Sequence, residues 1–121
     1  MSDDALWRWP AHRLATAIRS GALSAREAVA SSLARVADVK PRLNAVVDVM
    51  ADEALVAADA ADAARRRGDA LGVLHGVPVT VKVNVDTTGR ATTNGVVAYR
   101  DNIATEDSPV VANLRRAGAV V

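Results

Sequence analysis

The run Val77-Pro78-Val79-Thr80-Val81-Lys82-Val83 most constrains what this chain can fold into; Gly76 opens it and the Gly/Thr-rich stretch Thr87 to Gly95 follows. Near-continuous valine is what a strand covered on both faces carries, so the run calls for a helix-covered sheet. Lys82 is the only charge inside it. Burying a cation without a partner is so costly that the group tends to lose its proton, and a neutral lysine is a base that can activate a nucleophile. The competing reading is an edge-strand lysine whose stem packs on valine while its ammonium reaches solvent.

The segments before the run read as helices. Leu14, Ala15 and Ile18 form a short apolar stripe within Trp7 to Arg19, closed by Ser20-Gly21. Ser24-Ala25-Arg26-Glu27 has the spacing of a capping box, and Ala25, Ala28, Val29, Ser32, Leu33 and Val36 continue at helical intervals. Pro41 predicts a stop near Val39. Leu43 to Val49 is a brief Val-rich run that can be read as a strand. Asp52 to Arg67 predicts a third helix, with acids at its start, Arg65, Arg66 and Arg67 at its end, and Gly68 as the stop. Its small-residue face is Ala54, Ala57, Ala58, Ala61 and Ala64. Asp52, Asp59, Asp62, Arg66 and Asp69 read as the solvated face, with Asp62 and Arg66 as a surface pair, in preference to a metal site.

After the lysine run, Thr87 to Thr93 reads as loop, and Asp107-Ser108-Pro109 as a helix start for the stripe Val110, Val111, Leu114 and Ala117. Gly118 supplies the stop, and Ala119-Val120-Val121 the first residues of a buried strand. Strand, loop, helix and strand make a βαβ unit, with Ala119 to Val121 parallel to Val79 to Val83. The fold class expected is therefore α/β: N-terminal helices followed by the first βαβ portion of a mixed, helix-covered sheet, truncated in mid-fold. Residues 1–121 read as a single incomplete domain.

Composition excludes several functions. Fifteen basic against fourteen acidic residues leave a net charge of +1, which offers nothing to nucleic acid or an anionic membrane. The chain has no cysteine, hence no disulfide framework, thiolate metal site or cysteine nucleophile. No stretch approaches the roughly 20 apolar residues of a membrane helix, and the acidic Met1-Ser2-Asp3-Asp4 is unlike a secretory signal, so a cytoplasmic protein is expected. With Trp7, Trp9 and Tyr99 as the only aromatics, the apolar share is mostly alanine and valine.

Leu74-His75-Gly76-Val77-Pro78-Val79-Thr80-Val81-Lys82, then Gly89, Ala91-Thr92-Thr93-Asn94-Gly95, then Asp107-Ser108-Pro109-Val110-Val111 and Leu114 to Val120 together resemble the opening of the amidase signature family. The ordered match runs from Leu74 to Val121, and the preceding helices suit that family's lead-in. The resemblance implies that Lys82 is the base of a Ser, cis-Ser, Lys triad that hydrolyses carboxamides through an acyl-enzyme, without metal or organic cofactor. It also implies that both serines and the oxyanion-hole glycines lie in a Gly/Ser-rich motif this chain does not contain. Val83 stands where members commonly carry aspartate, and Asn94 is a further departure.

The expected function is thus an amidase acting on a small-molecule amide, inactive as this chain alone, or an amidotransferase subunit of the same family. Two alternatives stay open. One is a non-catalytic remnant that pairs with a complementary chain, or with itself through the unfinished strand Ala119 to Val121. The other is a small α/β binding domain. His75 reads as a turn histidine rather than a ligand, and Thr92-Thr93-Asn94 either lines a cleft or satisfies its own backbone.

Overall fold

The computed structural model describes residues 5–121. A 3-10 turn, Leu6–Arg8, leads through Pro10 into α1 (Ala11–Ser20), whose Leu14, Ala15 and Ile18 are buried as their spacing predicts. Helix α2 (Ala25–Leu43) begins with the expected capping box: the Glu27 amide donates to Ser24 Oγ at 3.1 Å, and the Ser24 amide to Glu27 Oε2 at 2.9 Å. That leaves the amides of Ala25 and Arg26 without intrahelical acceptors. Asp62 of α3 (Ala51–Arg67) accepts both, at 2.8 Å through Oδ1 and 3.1 Å through Oδ2.

This corrects the sequence reading of Asp62. The residue is 5% exposed, and no Asp62–Arg66 pair forms. Asp62 extends the buried stripe Ala54, Ala58 at the same interval of four, and its charge sits against the positive end of the α2 dipole. Asp59, one turn away, pairs instead with Arg26 at 2.5 Å.

Helix α2 also outlasts its proline. Pro41 lies inside it and the helix ends at Leu43, with Asn44 in the left-handed region (φ 46°) donating to the Lys40 carbonyl. The carbonyl that Pro41 cannot satisfy belongs to exposed Ala37 and is open to solvent, so the lost bond leaves no buried unpaired group and the last turn survives. The run Leu43 to Val49 forms no strand: Leu43 ends α2 and the rest is an irregular link to α3. A short apolar run without a pairing neighbour has no acceptor for its amides.

The core joins α1, α2 and α3 to two later segments. Leu14, Ile18, Ala25, Ala28, Val29, Ala54 and Ala58 pack in one cluster with Val77 and Val120. Helix α4 (Pro109–Arg116) is capped by Ser108, whose Oγ accepts from the Val111 amide at 3.3 Å, and it buries Val111. Four backbone hydrogen bonds zip Leu74–Val79 to Ala117–Val120: Leu74 to Ala117 at 2.8 Å, Gly76 to Gly118 at 2.9 Å, Val120 to Val77 at 2.9 Å and Val79 to Val120 at 2.8 Å. Glycine permits this approach. Gly76 (φ 75°) passes so close to α1 and α2 that a Cβ would lie 2.7 Å from Ala25 Cβ, and at Gly118 (φ 91°) it would lie 2.8 Å from His75 Cα.

The pairing is parallel, as the βαβ reading requires, yet only Pro78 and Val120 form a bridge; a second, antiparallel bridge joins Ala91 and Ile103. Among the described residues there is no ladder of strands. The valine run is therefore extended chain with one short stretch of neighbour, because a strand is defined by partners and not by its own composition.

The loop before α4 is held by Asp107. Its Oδ1 accepts from the Thr88 amide at 2.8 Å and the Thr88 hydroxyl at 2.9 Å, and its Oδ2 from Arg115 Nε at 2.8 Å. The Thr88 amide above all, with the Thr88 hydroxyl and Arg115, holds the Asp107 carboxyl below its ordinary 3.8 against a smaller opposing effect of burial.

Four substitutions, read by urea unfolding, test these contacts. Asp62→Ala is expected to cost about 3 kcal/mol, since two amides lose a charged acceptor; Asp62→Asn, whose NH2 opposes the second amide, recovers only part of that. Gly118→Ala is expected to cost about 3 kcal/mol or more, through the left-handed backbone and the clash with backbone at His75. Gly89→Ala shares the positive φ of 76° but meets nothing within 4 Å, and should cost about 1 kcal/mol. Because folding lowers the Asp107 pKa, the unfolded chain binds more protons near the carboxylate range; this stabilisation is full above the unfolded value and lost as pH falls through the folded one. Unfolding midpoints followed from pH 7 to about pH 3 should show a shallower acid decline in Asp107→Asn.

Candidate active site

Exposure alternates along the lysine segment: Val79, Val81 and Val83 are half-buried, and Thr80 and Lys82 are exposed. That is the period of an extended chain with one covered face. The Lys82 carbonyl accepts from the Val85 amide at 3.0 Å, which turns the chain directly after the lysine. The described residues give the Lys82 ammonium no hydrogen bond and no ion pair. Its surroundings here are those of the lysine that reaches solvent, and the walls that would bury it are not supplied by these residues.

No nucleophile accompanies it among the described residues. Ser20 Oγ donates to the Ala17 carbonyl, Ser24 and Ser108 cap helices, and Ser31 Oγ accepts from the Trp7 amide at 3.2 Å. Ser32 lines the same groove as Lys82, but it sits in the middle of α2, where backbone amides are already spent on the helix and cannot form an oxyanion hole. His75 is buried, and its Nε2 lies 2.9 Å from the Ala61 carbonyl. A carbonyl only accepts, so Nε2 carries the proton and the ring fastens the turn before the lysine segment to α3, as the turn reading expects.

The groove itself encloses about 790 Å³ between α2, the Ala45–Met50 link and the lysine segment. Val29, Leu33 and Val36 of α2 line it together with the lysine segment from Val79 to Val83, and Asp48 and Arg90 stand on its wall. Arg90 binds Glu53 with Nη2 and reaches Asp48 with Nη1 at 3.4 Å, and so ties the loop after the lysine to the start of α3. This clamp escaped sequence reasoning: its partners are separated by 37 and 42 positions, and no periodicity links them. On the other side of the loop, Thr92 Oγ1 donates to Asp86 Oδ1 at 2.5 Å and the Thr92 amide donates to the Asn102 carbonyl at 2.9 Å. Thr92 thus satisfies the loop's own backbone and side chains. Together with Asn84, Asn94, Tyr99 and Asn102 it also lines a smaller polar cleft.

Asp59 and Asp62, set aside above as metal ligands, are engaged with Arg26 and with the α2 amides. No helix among the described residues is long and apolar enough to cross a membrane.

Comparison with known proteins identifies this arrangement. An indoleacetamide hydrolase of Bradyrhizobium diazoefficiens is 56% identical over 116 residues, which are 96% of this chain and 22% of that protein. The peptide amidase of Stenotrophomonas maltophilia superposes with a TM-score of 0.85 at 33% identity, over 94% of this chain and 24% of its own. A fatty acid amide hydrolase superposes with a TM-score of 0.90 at 26% identity, over 99% and 22%. The chain spans about a quarter of the length of the curated relatives it matches. These neighbours have the α/β amidase-signature fold. The amidase family model matches residues 27–121, from the first turn of α2 through the lysine segment to Val121, and the chain belongs to that family.

Proposed function

We propose that this chain forms the lysine-bearing part of an amidase that hydrolyses a small carboxamide to a carboxylate and ammonia or an amine. Lys82 is the base, and the nucleophilic serine comes from residues outside this chain. The observation that carries the reading is the 56% identity to an indoleacetamide hydrolase over nearly the whole chain, together with Lys82 standing on an extended segment beside an apolar groove. That relative supports an arylacetamide as substrate.

In this reading the serine hydroxyl gives its proton, through the second serine, to the Lys82 amine as it attacks the amide carbon. Lys82 returns the proton to the departing nitrogen, and water then repeats the cycle on the acyl-enzyme. The chain's own contribution is the base and the segment that aims it: Lys82 projects with Thr80 from one face while the valines anchor the other. Neither metal nor organic cofactor enters this scheme. The βαβ portion of a mixed sheet is completed, in this proposal, by strands beyond the Pro78–Val120 bridge, and the protein works in the cytoplasm.

A second reading, pairing with a complementary chain or self-association through Ala119 to Val121, is favoured by the open apolar groove that Val120 and Val121 help to line. Membership of an amidotransferase is the related alternative: one glutamyl-tRNA(Gln) amidotransferase subunit, from Symbiobacterium thermophilum, is 40% identical over 92% of this chain.

The test joins this chain to the remainder of the Bradyrhizobium enzyme and measures ammonia released from indole-3-acetamide. The chimera is expected to turn over, and Lys82→Ala within it to lose at least about a hundredfold in rate. The chain alone should be silent, since members of a catalytic unit that act together leave almost nothing when separated. A chimera indifferent to Lys82→Ala would remove the proposed base.

A further inference from the structure

Between Val79, whose amide is bonded to Val120 at 2.8 Å, and Thr87, the next buried residue, the chain that carries Lys82 has no buried side chain. It turns through the bond from the Val85 amide to the Lys82 carbonyl, and Arg90 stands where it is next fastened. The Arg90 amide donates to the Thr87 carbonyl at 3.0 Å, and its carbonyl accepts from the Ala104 amide at 2.9 Å. From this fixed backbone the guanidinium reaches the helical layer, binding Glu53 with Nη2 and Asp48 with Nη1 at 3.4 Å. Among the described residues it is the only side chain after Lys82 that hydrogen-bonds to the part of the chain from α1 to α3. The other ties of the loop, Asp107 to Thr88 and Asp86 to Thr92, stay within the later half. Asp48 and Glu53 are exposed, and exposed ion pairs add little stability. What two such bonds supply is direction, because a planar guanidinium that spans two carboxylates holds a loop against both.

We propose that Arg90 is a positioning residue for amide hydrolysis: its bonds to Glu53 and Asp48 hold the loop that follows Lys82, and through the Lys82–Val85 turn they set where the lysine amine stands. The core fixes the segment from one end, at Val77 and Val79, and Arg90 fixes it from the other. A base does its work only within hydrogen-bond reach of the proton it takes, and a misplacement of about 1 Å from a change remote from the chemistry can cost about a hundredfold in rate. Arg90 touches neither Lys82 nor any reacting atom, so its effect passes through the backbone alone. The inference rests on Lys82 being the base, as proposed above, and adds the contact that aims it.

The experiment uses the Bradyrhizobium chimera and indole-3-acetamide, with kcat and KM measured separately. Arg90→Met, which keeps the length and removes the charge, is expected to lower kcat by about tenfold while KM and the urea midpoint stay unchanged. Arg90→Lys should recover part of the loss. Glu53→Gln should lower kcat in the same way, and the double variant no further than Arg90→Met alone, because both remove one tie. Raising the salt concentration should lower kcat of the parent chimera and leave that of Arg90→Met unmoved, since only the parent has an exposed ion pair to screen. In this chain alone, Arg90→Met should hasten hydrogen exchange at the Val85 amide by about tenfold. A kcat indifferent to Arg90→Met, losses at Arg90 and Glu53 that simply multiply, a fall in kcat that tracks the urea midpoint, or unchanged exchange at Val85 would each overturn the proposal. If Lys82→Ala silences the chimera while Arg90→Met does not alter it, the base stands and the positioning role alone falls. A chimera that ignores Lys82→Ala removes the base, and this role with it.

Discussion

The carboxylate of Asp62 at the start of α2 is the contact on which the rest of this structure hangs. Helices α2 and α3 meet through Ala25, Ala28, Ala54 and Ala58, and alanine buries so little area that such a face slides and rotates at low cost. A two-oxygen acceptor on two specific amides does not slide: the 2.8 and 3.1 Å bonds fix both the height of α3 against α2 and its rotation. The same carboxylate completes the cap that Ser24 and Glu27 begin, so the first three amides of α2 are all satisfied. Ala25 in turn is the residue against which Gly76 packs. The placement of the lysine segment therefore descends from a polar contact made earlier in the chain.

Beyond residue 70 the balance changes from apolar packing to polar ties. From that half Val77 and Val120 are the buried members of the main cluster, Leu74 packs against it, and Val111 of α4 is buried outside it. The loop between them is held by Asp107 on Thr88, Asp86 on Thr92 and Arg90 on Glu53 and Asp48. Such ties orient a loop closely, yet exposed ones add little to stability. The helical half and the loop half should therefore open with different free energies, the loop first. The lysine segment is thus anchored at one end by core valine and tied at the other through the ionic contacts of the loop that follows it.

What was legible in the sequence follows from how local the determinants are. The capping box at Ser24, the stripe Leu14, Ala15, Ile18 and the Ser108-Pro109 start of α4 are set by residues three or four apart, and each stands where the spacing puts it. The lysine segment was recognisable because composition and order agreed. Asp62 was misread because a short carboxylate beside arginine on a helix has a plausible local partner, and only the approach of α2 shows otherwise. The interval Ala54, Ala58, Asp62 did carry the signal. Pro41 points to an earlier stop than α2 makes, since a proline near an exposed helix end costs one bond at a solvent-facing carbonyl. The Arg90 clamp depends on tertiary placement alone.

The geometry of an extended segment also separates what its side chains face from what its backbone faces. Side chains leave a strand perpendicular to the sheet, whereas amides and carbonyls point along it to the neighbours. Lys82 and Thr80 rise from one face, Val79, Val81 and Val83 from the other, and the unpaired backbone groups lie at right angles to both. Lys82 is exposed here because it stands with Thr80 on the open face of the segment, while the alternating valines of the other face are half-buried.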